Sequence, residues 1–180
     1  MVKNLFFSII IPAHNEENYI KETLIRAVFQ NYPCKDYEVI VVENGSRDKT
    51  LKKIREIKSK QLKVYSTKKR GISLSKNLGA KKANKKSQWI VFLDADTWIN
   101  KDFLPDLNKY LSDSKDFSSG TTKVSSIEKK LIPLIWFWIC DFEHRIFKFP
   151  GGVQIVRKDI FDKIKYDEGL RVTEDMKLVK

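Results

Sequence analysis

Asp94 and Asp96 stand one residue apart at the end of the apolar run Trp89-Ile90-Val91-Phe92-Leu93. A run of β-branched and aromatic residues bounded by polar sequence reads as a buried strand of a parallel sheet. In open α/β sheets the ligand crevice lies just beyond the carboxyl ends of such strands. Two like charges about 4 Å apart repel by roughly 1 kcal/mol in water, and by about 4 kcal/mol at an effective dielectric near 20. A half-buried Asp-Ala-Asp therefore either raises a carboxyl pKa or holds a cation. A hard divalent cation with oxygen ligands, shared with a diphosphate, satisfies it economically. The plain alternative is a solvated turn.

Strand and helix patterns alternate upstream of this pair. Phe6 to Ile11 reads as a first strand, and Asn18 to Gln30 as a helix with Ile20, Leu24, Ala27 and Val28 on one face. Glu38 to Val42 is a second strand, followed by a helix from Asp48 with Leu51, Ile54 and Ile57 at helical spacing. Leu62 to Ser66 is a weaker third strand, and the helix after Gly71 carries Leu74, Leu78 and the small residues Gly79, Ala80 and Ala83. Such β-α alternation predicts a parallel sheet covered by helices. Parallel strands end on the same side, so four polar loops should meet at one edge. They are Pro12-Ala13-His14-Asn15-Glu16, Glu43-Asn44-Gly45-Ser46, Lys69-Arg70-Gly71 with Asn77 behind it, and Asp94-Ala95-Asp96. A nucleotide across that edge would meet a carboxylate or amide at base and ribose, an arginine at the diphosphate, and a metal between diphosphate and Asp96. No G-x-G-x-x-G follows strand one and no G-x-x-x-x-G-K-[ST] occurs, which argues against dehydrogenases and P-loop enzymes.

Taken in order, Pro12 to Glu16, Glu43-Asn44-Gly45-Ser46-x-Asp48-x-Thr50, Arg70-Gly71 with Asn77-x-Gly79, and Phe92 to Asp96 resemble the inverting family 2 glycosyltransferases. The likeness resumes at Gly151-Gly152 and runs through Arg157, Phe161, Asp167 and Thr173-Glu174-Asp175. The resemblance implies an α/β fold of GT-A type, with a mostly parallel nucleotide-binding sheet flanked by helices. It implies a nucleotide-diphosphate sugar as donor, a divalent cation (manganese or magnesium), and a hydroxyl acceptor, either a glycan or a lipid-linked chain. Carried over by position, Pro12, Ala13, His14 and Glu16 line the nucleotide pocket, and Glu43 and Asn44 reach base or ribose. Arg70 approaches the diphosphate, with Asn77 and Ala95 beside the site. Asp94 contacts ribose or metal, Asp96 ligates the metal, and Asp175 is the base that deprotonates the acceptor hydroxyl, giving inversion in a single displacement. His14 stands where the family usually has tyrosine, and aspartates are commoner than Glu43 and Asn44. The chain ends at Lys180, and members of the family usually continue with at least another helix. The expectation is one domain over 1–180, with a nucleotide-sugar half (1–98) and an incomplete acceptor-side half (99–180).

Composition bounds the rest. The 180 residues are 42% hydrophobic, enough for one domain with a core. Net charge is +12, and Lys49 to Lys86 holds fifteen Lys or Arg against the single acid Glu56. Such a block favours anionic partners, or is simply a solvated helical face. Cys34 and Cys140 have no metal or redox spacing, which fits a reducing compartment. The run Leu5 to Ile11 is too short for a signal peptide, and no stretch reaches the roughly 20 apolar residues that span a bilayer. Leu131 to Ile139 is apolar all round and reads either as a helix buried beneath the acceptor site or as an interfacial element in lipid. The resulting expectation is a cytoplasmic enzyme, peripheral on the membrane face and not a nucleic-acid binder. The competing reading is a non-catalytic basic module that binds nucleic acid or anionic membrane. A nucleotidyltransferase would need an early glycine- and arginine-rich phosphate loop, which is absent. His14 taken alone is a loop or packing residue, His144 lacks a paired ligand, and Asp48 with Thr50 would suit a helix start.

Overall fold

The alternation of apolar positions along the first two strands settles the layering. Phe7, Ile9 and Ile11 of β1 (Phe7–Ala13) and Val39 and Val41 of β2 (Tyr37–Glu43) face one side of the sheet, and Ile10, Ile40 and Val42 face the other. The computed structural model describes residues 4–114, 116–122 and 153–169. Asp175, the 131–139 segment, Gly151-Gly152, Thr173-Glu174, Cys140 and His144 all lie outside them.

The sheet has six strands in the order β3-β2-β1-β4-β6-β5, with β3 (Leu62–Ser66), β4 (Trp89–Leu93), β5 (Ser119–Thr122) and β6 (Val153–Arg157) completing it. β3, β2, β1 and β4 are mutually parallel. β6 runs antiparallel between β4 and β5. The helices α1 (Ile20–Val28), α2 (Thr50–Glu56) and α4 (Phe103–Asp113) send Ile20, Leu24, Ile54, Leu104 and Leu107 into the core of one face. On the opposite face α3 (Ile72–Lys82) and α5 (Lys158–Ile164) contribute Ala80 and Phe161 to a smaller core with Phe92 and Tyr166.

Pro12 lies inside β1, one residue beyond the expected end of that strand. It pairs with Val42 of β2, but β4 accompanies β1 only from Phe7 to Ile10. The missing proline N–H therefore falls where β1 has lost its other neighbour, and no ladder bond is sacrificed. That divergence of β1 and β4 also opens the sheet edge at which the polar loops gather. The basic block wraps the β3 edge: Lys63 pairs with buried Glu38 at 2.6 Å, Lys53 donates to the Glu17 carbonyl at 2.6 Å, and Lys82 lies over the Tyr65 ring. Most of the block is solvated, and lysines on an edge strand discourage further strand pairing.

α3 seats on the sheet through Gly79. A Cβ there would stand 2.3 Å from Ile10 Cγ2 on β1, so the helix and the strand approach as closely as backbone permits. Gly79→Ala should destabilise the fold by about 1–3 kcal/mol through overpacking, a fall of roughly 3–10 °C in melting midpoint. Thermal and urea denaturation followed by circular dichroism measure it, and an unchanged midpoint would refute the close-approach account.

Candidate active site

Two loops at the tips of β1 and β2 are laced together before any ligand is considered. Asp48 sits one residue ahead of the α2 N-cap. Its Oδ1 accepts the Thr50 amide (2.9 Å) and hydroxyl (2.5 Å), and its Oδ2 accepts the Glu17 amide (3.1 Å). Burial opposes the Asp48 charge, but these hydrogen bonds together outweigh it and hold the carboxyl below its ordinary value of 3.8. The Thr50 hydroxyl oxygen accepts the Glu16 amide at 2.7 Å, Asn15 Oδ1 accepts the Arg47 amide at 2.9 Å, and the Ser46 hydroxyl accepts the Asn15 amide at 3.1 Å. Gly45, at φ 62°, makes the turn that this crossing requires.

Behind this lacing lies a cleft of about 470 Å³, bounded by Pro12, His14, Glu16, Asn44, Arg70, Gly71, Ile72, Ser75, Lys76, Asp94, Ala95 and Asp96. The Asn44 Nδ2 donates to the Gly71 carbonyl at 3.0 Å, and the same carbonyl accepts from the Ser75 amide and hydroxyl. The Asn44 Oδ1 is buried with no hydrogen-bond partner among the described residues. A buried amide oxygen without a donor is costly, and a bound ligand with an N–H would satisfy it. His14 donates from Nδ1 to the Asn44 carbonyl at 2.7 Å, since that oxygen only accepts, and its Nε2 faces the Asn15 Nδ2 at 3.2 Å. Both ring nitrogens are thereby engaged, and the imidazole forms part of the cleft wall.

The Asp-Ala-Asp turn is held from below. Thr23 on α1 donates its hydroxyl to the Ala95 carbonyl at 2.7 Å, and the Thr97 amide donates to the Asp94 carbonyl at 3.0 Å. Ala95 is buried, Asp94 is half-buried and Asp96 is exposed, and all three border the cleft. Glu16 faces them. Burial first, then the charges of Asp96 and Asp48, raise its carboxyl above the ordinary 4.5, with His14 pulling slightly the other way. Negative charge is thus concentrated at the cleft mouth, and Arg70, exposed on its loop, is a cation in reach.

The structure brings together most of the residues singled out from the sequence: Pro12, His14, Glu16, Asn44, Arg70, Asp94, Ala95 and Asp96. Three are placed elsewhere. Ala13 packs into the core, and only its carbonyl serves the site by accepting the Asn44 amide. Glu43 is buried, accepts the Ser46 amide in the turn, and is not among the residues that border the cleft. Asn77 points to the far side of α3, where its Nδ2 donates to the Tyr166 carbonyl (2.9 Å) and Glu168 (3.0 Å) and its Oδ1 accepts the Tyr166 amide (3.0 Å). Every hydrogen-bonding group of that amide is used in clamping the 166–168 loop. Lys76 and Ser75 line the cleft although nothing in the sequence distinguished them; the signal was their place one helical turn beyond Gly71.

A family model described as "Glycosyl transferase family 2" matches residues 8–167. The chain belongs to that family. It is 34% identical over 110 residues to the poly(ribitol-phosphate) β-N-acetylglucosaminyltransferase TarS of Staphylococcus aureus, covering 59% of this chain and 19% of that protein. It is 37% identical over 103 residues to a dolichyl N-acetyl-α-D-glucosaminyl phosphate 3-β-D-2,3-diacetamido-2,3-dideoxy-β-D-glucuronosyltransferase of Methanococcus voltae, covering 55% of this chain and 32% of that one. The crystal structure of S. aureus TarS 1–349 superposes with a TM-score of 0.73 at 26% identity, over 95% of this chain and 53% of that chain. A mannosyltransferase of Pyrobaculum calidifontis, solved with GDP-mannose and Mn2+, shares the fold at a TM-score of 0.73 and 21% identity, over 95% of this chain and 50% of that one. The fold is of the GT-A type. The chain spans about a fifth to a third of the length of these two curated relatives.

The raised Glu16 pKa carries a sign. A carboxyl that titrates higher in the folded than in the unfolded chain favours folding below its unfolded value, and that contribution is lost as pH rises through the folded one. Glu16→Gln should therefore raise the melting midpoint relative to wild type near neutral pH, with the gain vanishing below 4.5. Asp96→Asn should lower the Glu16 titration midpoint, read by carbon NMR of the carboxyl. An unmoved midpoint would mean that the two groups do not sense each other.

Proposed function

We propose that this glycosyltransferase moves a sugar from a uridine-diphosphate donor to a hydroxyl acceptor with inversion. The observation that carries the reading is the unpartnered Asn44 Oδ1 in the same cleft as Asp94 and Asp96. One N–H of the Asn44 Nδ2 is committed to Gly71, and the unpartnered Oδ1 is the acceptor offered to a base. Uracil offers its N3–H to that oxygen, whereas the cytosine N3 is a bare acceptor and cannot donate to it. The TarS structure solved with UDP-GlcNAc supports the choice of uridine.

Asp96, with Asp94 beside it, would hold a manganese or magnesium ion. Two hard carboxylates at a half-open edge suit such cations, which take one or two protein carboxylates and complete their shell with phosphate oxygens and water. Among the described residues no group of three or more His, Cys, Asp or Glu forms a closed metal cage, consistent with a site completed by its substrate. When bound, the ion supplies charge neutralisation of the departing diphosphate. Pro12 and His14 wall the base, Arg70 meets the diphosphate from its loop, and Asp175 removes the acceptor proton as the sugar carbon is attacked. A base acting directly on the acceptor, with no covalent sugar–enzyme intermediate, accounts for inversion.

Relatives that act on poly(ribitol phosphate) or in minor teichoic acid biosynthesis favour a cell-envelope glycopolymer as acceptor. A lipid-linked acceptor, met by an enzyme peripheral on the cytoplasmic membrane face, belongs to the same reading. No helix among the described residues is long and apolar enough to cross a membrane.

Calorimetry with UDP, GDP and CDP, with and without Mn2+, tests the donor. UDP should bind most tightly and in a metal-dependent manner, and Asn44→Leu should weaken it by about 1–3 kcal/mol, roughly 10- to 100-fold, without a matching loss for CDP. Equal affinity for all three nucleotides would sink the base assignment. Asp175→Asn should abolish transfer while leaving UDP binding intact; transfer at the wild-type rate would remove Asp175 from the mechanism.

A further inference from the structure

Asn44 is held on three sides. Its backbone amide donates to the Ala13 carbonyl at 2.9 Å, its carbonyl accepts from His14 Nδ1 at 2.7 Å, and its Nδ2 donates to the Gly71 carbonyl at 3.0 Å. The last of these bonds fixes the sense of the amide. A carbonyl oxygen only accepts, so a flipped amide would lose the bond and set Oδ1 against the Gly71 oxygen. That oxygen is itself pinned to the first turn of α3, where it also accepts the Ser75 amide at 3.1 Å and hydroxyl at 3.0 Å. Gly71 is the N-cap of the helix, at φ 149° and ψ 128°, a conformation that a residue with a Cβ rarely adopts. Room is not the reason for glycine: an added Cβ would meet nothing nearer than Leu74 Cβ at 3.6 Å, an ordinary contact. The dihedral angle is.

We infer that Gly71 is a positioning residue for base choice: its carbonyl holds the Asn44 amide so that the oxygen, and not the nitrogen, is left for a base that presents an N–H. The inference rests on the proposed uridine donor. It adds that the preference is set by backbone in the loop after β3, while the side chain that meets the base stands at the tip of β2. A Cβ at position 71 drives the loop to another φ and turns the carbonyl away. The Asn44 amide can then present either end, and the advantage of a base with an N–H shrinks. A loop that served only to keep the cleft in shape would, when disturbed, weaken every nucleotide alike.

The test is calorimetric titration of the full chain, wild type and Gly71→Ala, with UDP and with CDP in saturating Mn2+. Wild type should favour UDP over CDP by about tenfold or more. In Gly71→Ala that ratio should fall to within about threefold, chiefly through weaker UDP binding. Should Gly71→Ala fail to fold by circular dichroism, Ser75→Ala carries the comparison: it removes one pin from the same carbonyl, makes no demand on φ, and should lower the ratio by about threefold. A folded variant that keeps the wild-type ratio overturns the inference, whether both affinities hold or both fall together. Wild-type protein that binds UDP and CDP equally overturns the donor reading, and the role of Gly71 falls with it.

Discussion

Negative charge held together against its own repulsion is the constraint on which this site depends. Carboxylates crowd the carboxyl edge of the sheet, and they fall into two groups by what neutralises them. Glu43, Asp48 and Glu17 each accept backbone amides, from Ser46, from Thr50 and Glu17, and from Lys49 respectively. Those bonds spend the acidic charge on locking one loop to the next. Glu16 and Asp96 are not used this way. Glu16 has no hydrogen bond to its carboxylate among the described residues, and Asp96 has only the Thr97 hydroxyl at 3.5 Å, at the limit of a useful contact. The laced loops supply a frame, and that frame holds Glu16 where burial first, and then the charges of Asp96 and Asp48, raise its carboxyl pKa. Strain of this kind is relieved by a cation, which ties the architecture of the edge to what it can bind.

The fold was legible where neighbours in sequence are also neighbours in space. The parallel half, β1 to β4 with its three helices, follows from apolar runs separated by helical periodicity, and the errors there were ones of a residue or two at each end. Pro12 explains the one at the end of β1: proline marks a strand end only where both of its sides are paired, and β1 has lost β4 by that point. The other half was not legible. β5 is Ser-Gly-Thr-Thr, without an apolar face to announce it. β6 inserts antiparallel between β4 and β5, a pairing of residues about sixty positions apart that no local pattern encodes. α4 is amphipathic through Leu104, Leu107 and Leu111, but its place is fixed by packing across the sheet, with the Asn108 Oδ1 accepting the Leu5 amide and the Tyr32 hydroxyl.

For the site, sequence identified the loops better than the roles within them. In Glu43-Asn44-Gly45-Ser46-x-Asp48-x-Thr50, where Glu43 and Asn44 read as base or ribose contacts and Asp48 and Thr50 as a helix start, only Asn44 borders the cleft. Residue type could not separate them, because a carboxylate that caps an amide and one that awaits a cation look identical in one dimension. Asn77 shows the same ambiguity, with its amide consumed by Tyr166 and Glu168 on the far side of α3. Lys76 was hidden for the opposite reason. Among fifteen cations between Lys49 and Lys86 it carried no mark, although it alone of that block is almost wholly buried.

The basic block and the acidic cleft act on different length scales, and their juxtaposition argues against a simple polyanion-binding module. Charges on the β3 edge and the Lys68–Arg70 loop create a positive field that extends roughly 8–10 Å at physiological ionic strength, enough to draw any anion toward the mouth. At the cleft itself acidic residues gather, and a bare phosphate backbone would meet Glu16 and Asp96 there. An anion with a divalent cation already on its phosphates does not suffer that repulsion. On the proposed reading the field therefore gathers anions broadly and the carboxylates admit the metal-laden ones, a division of labour that a uniformly basic surface could not produce.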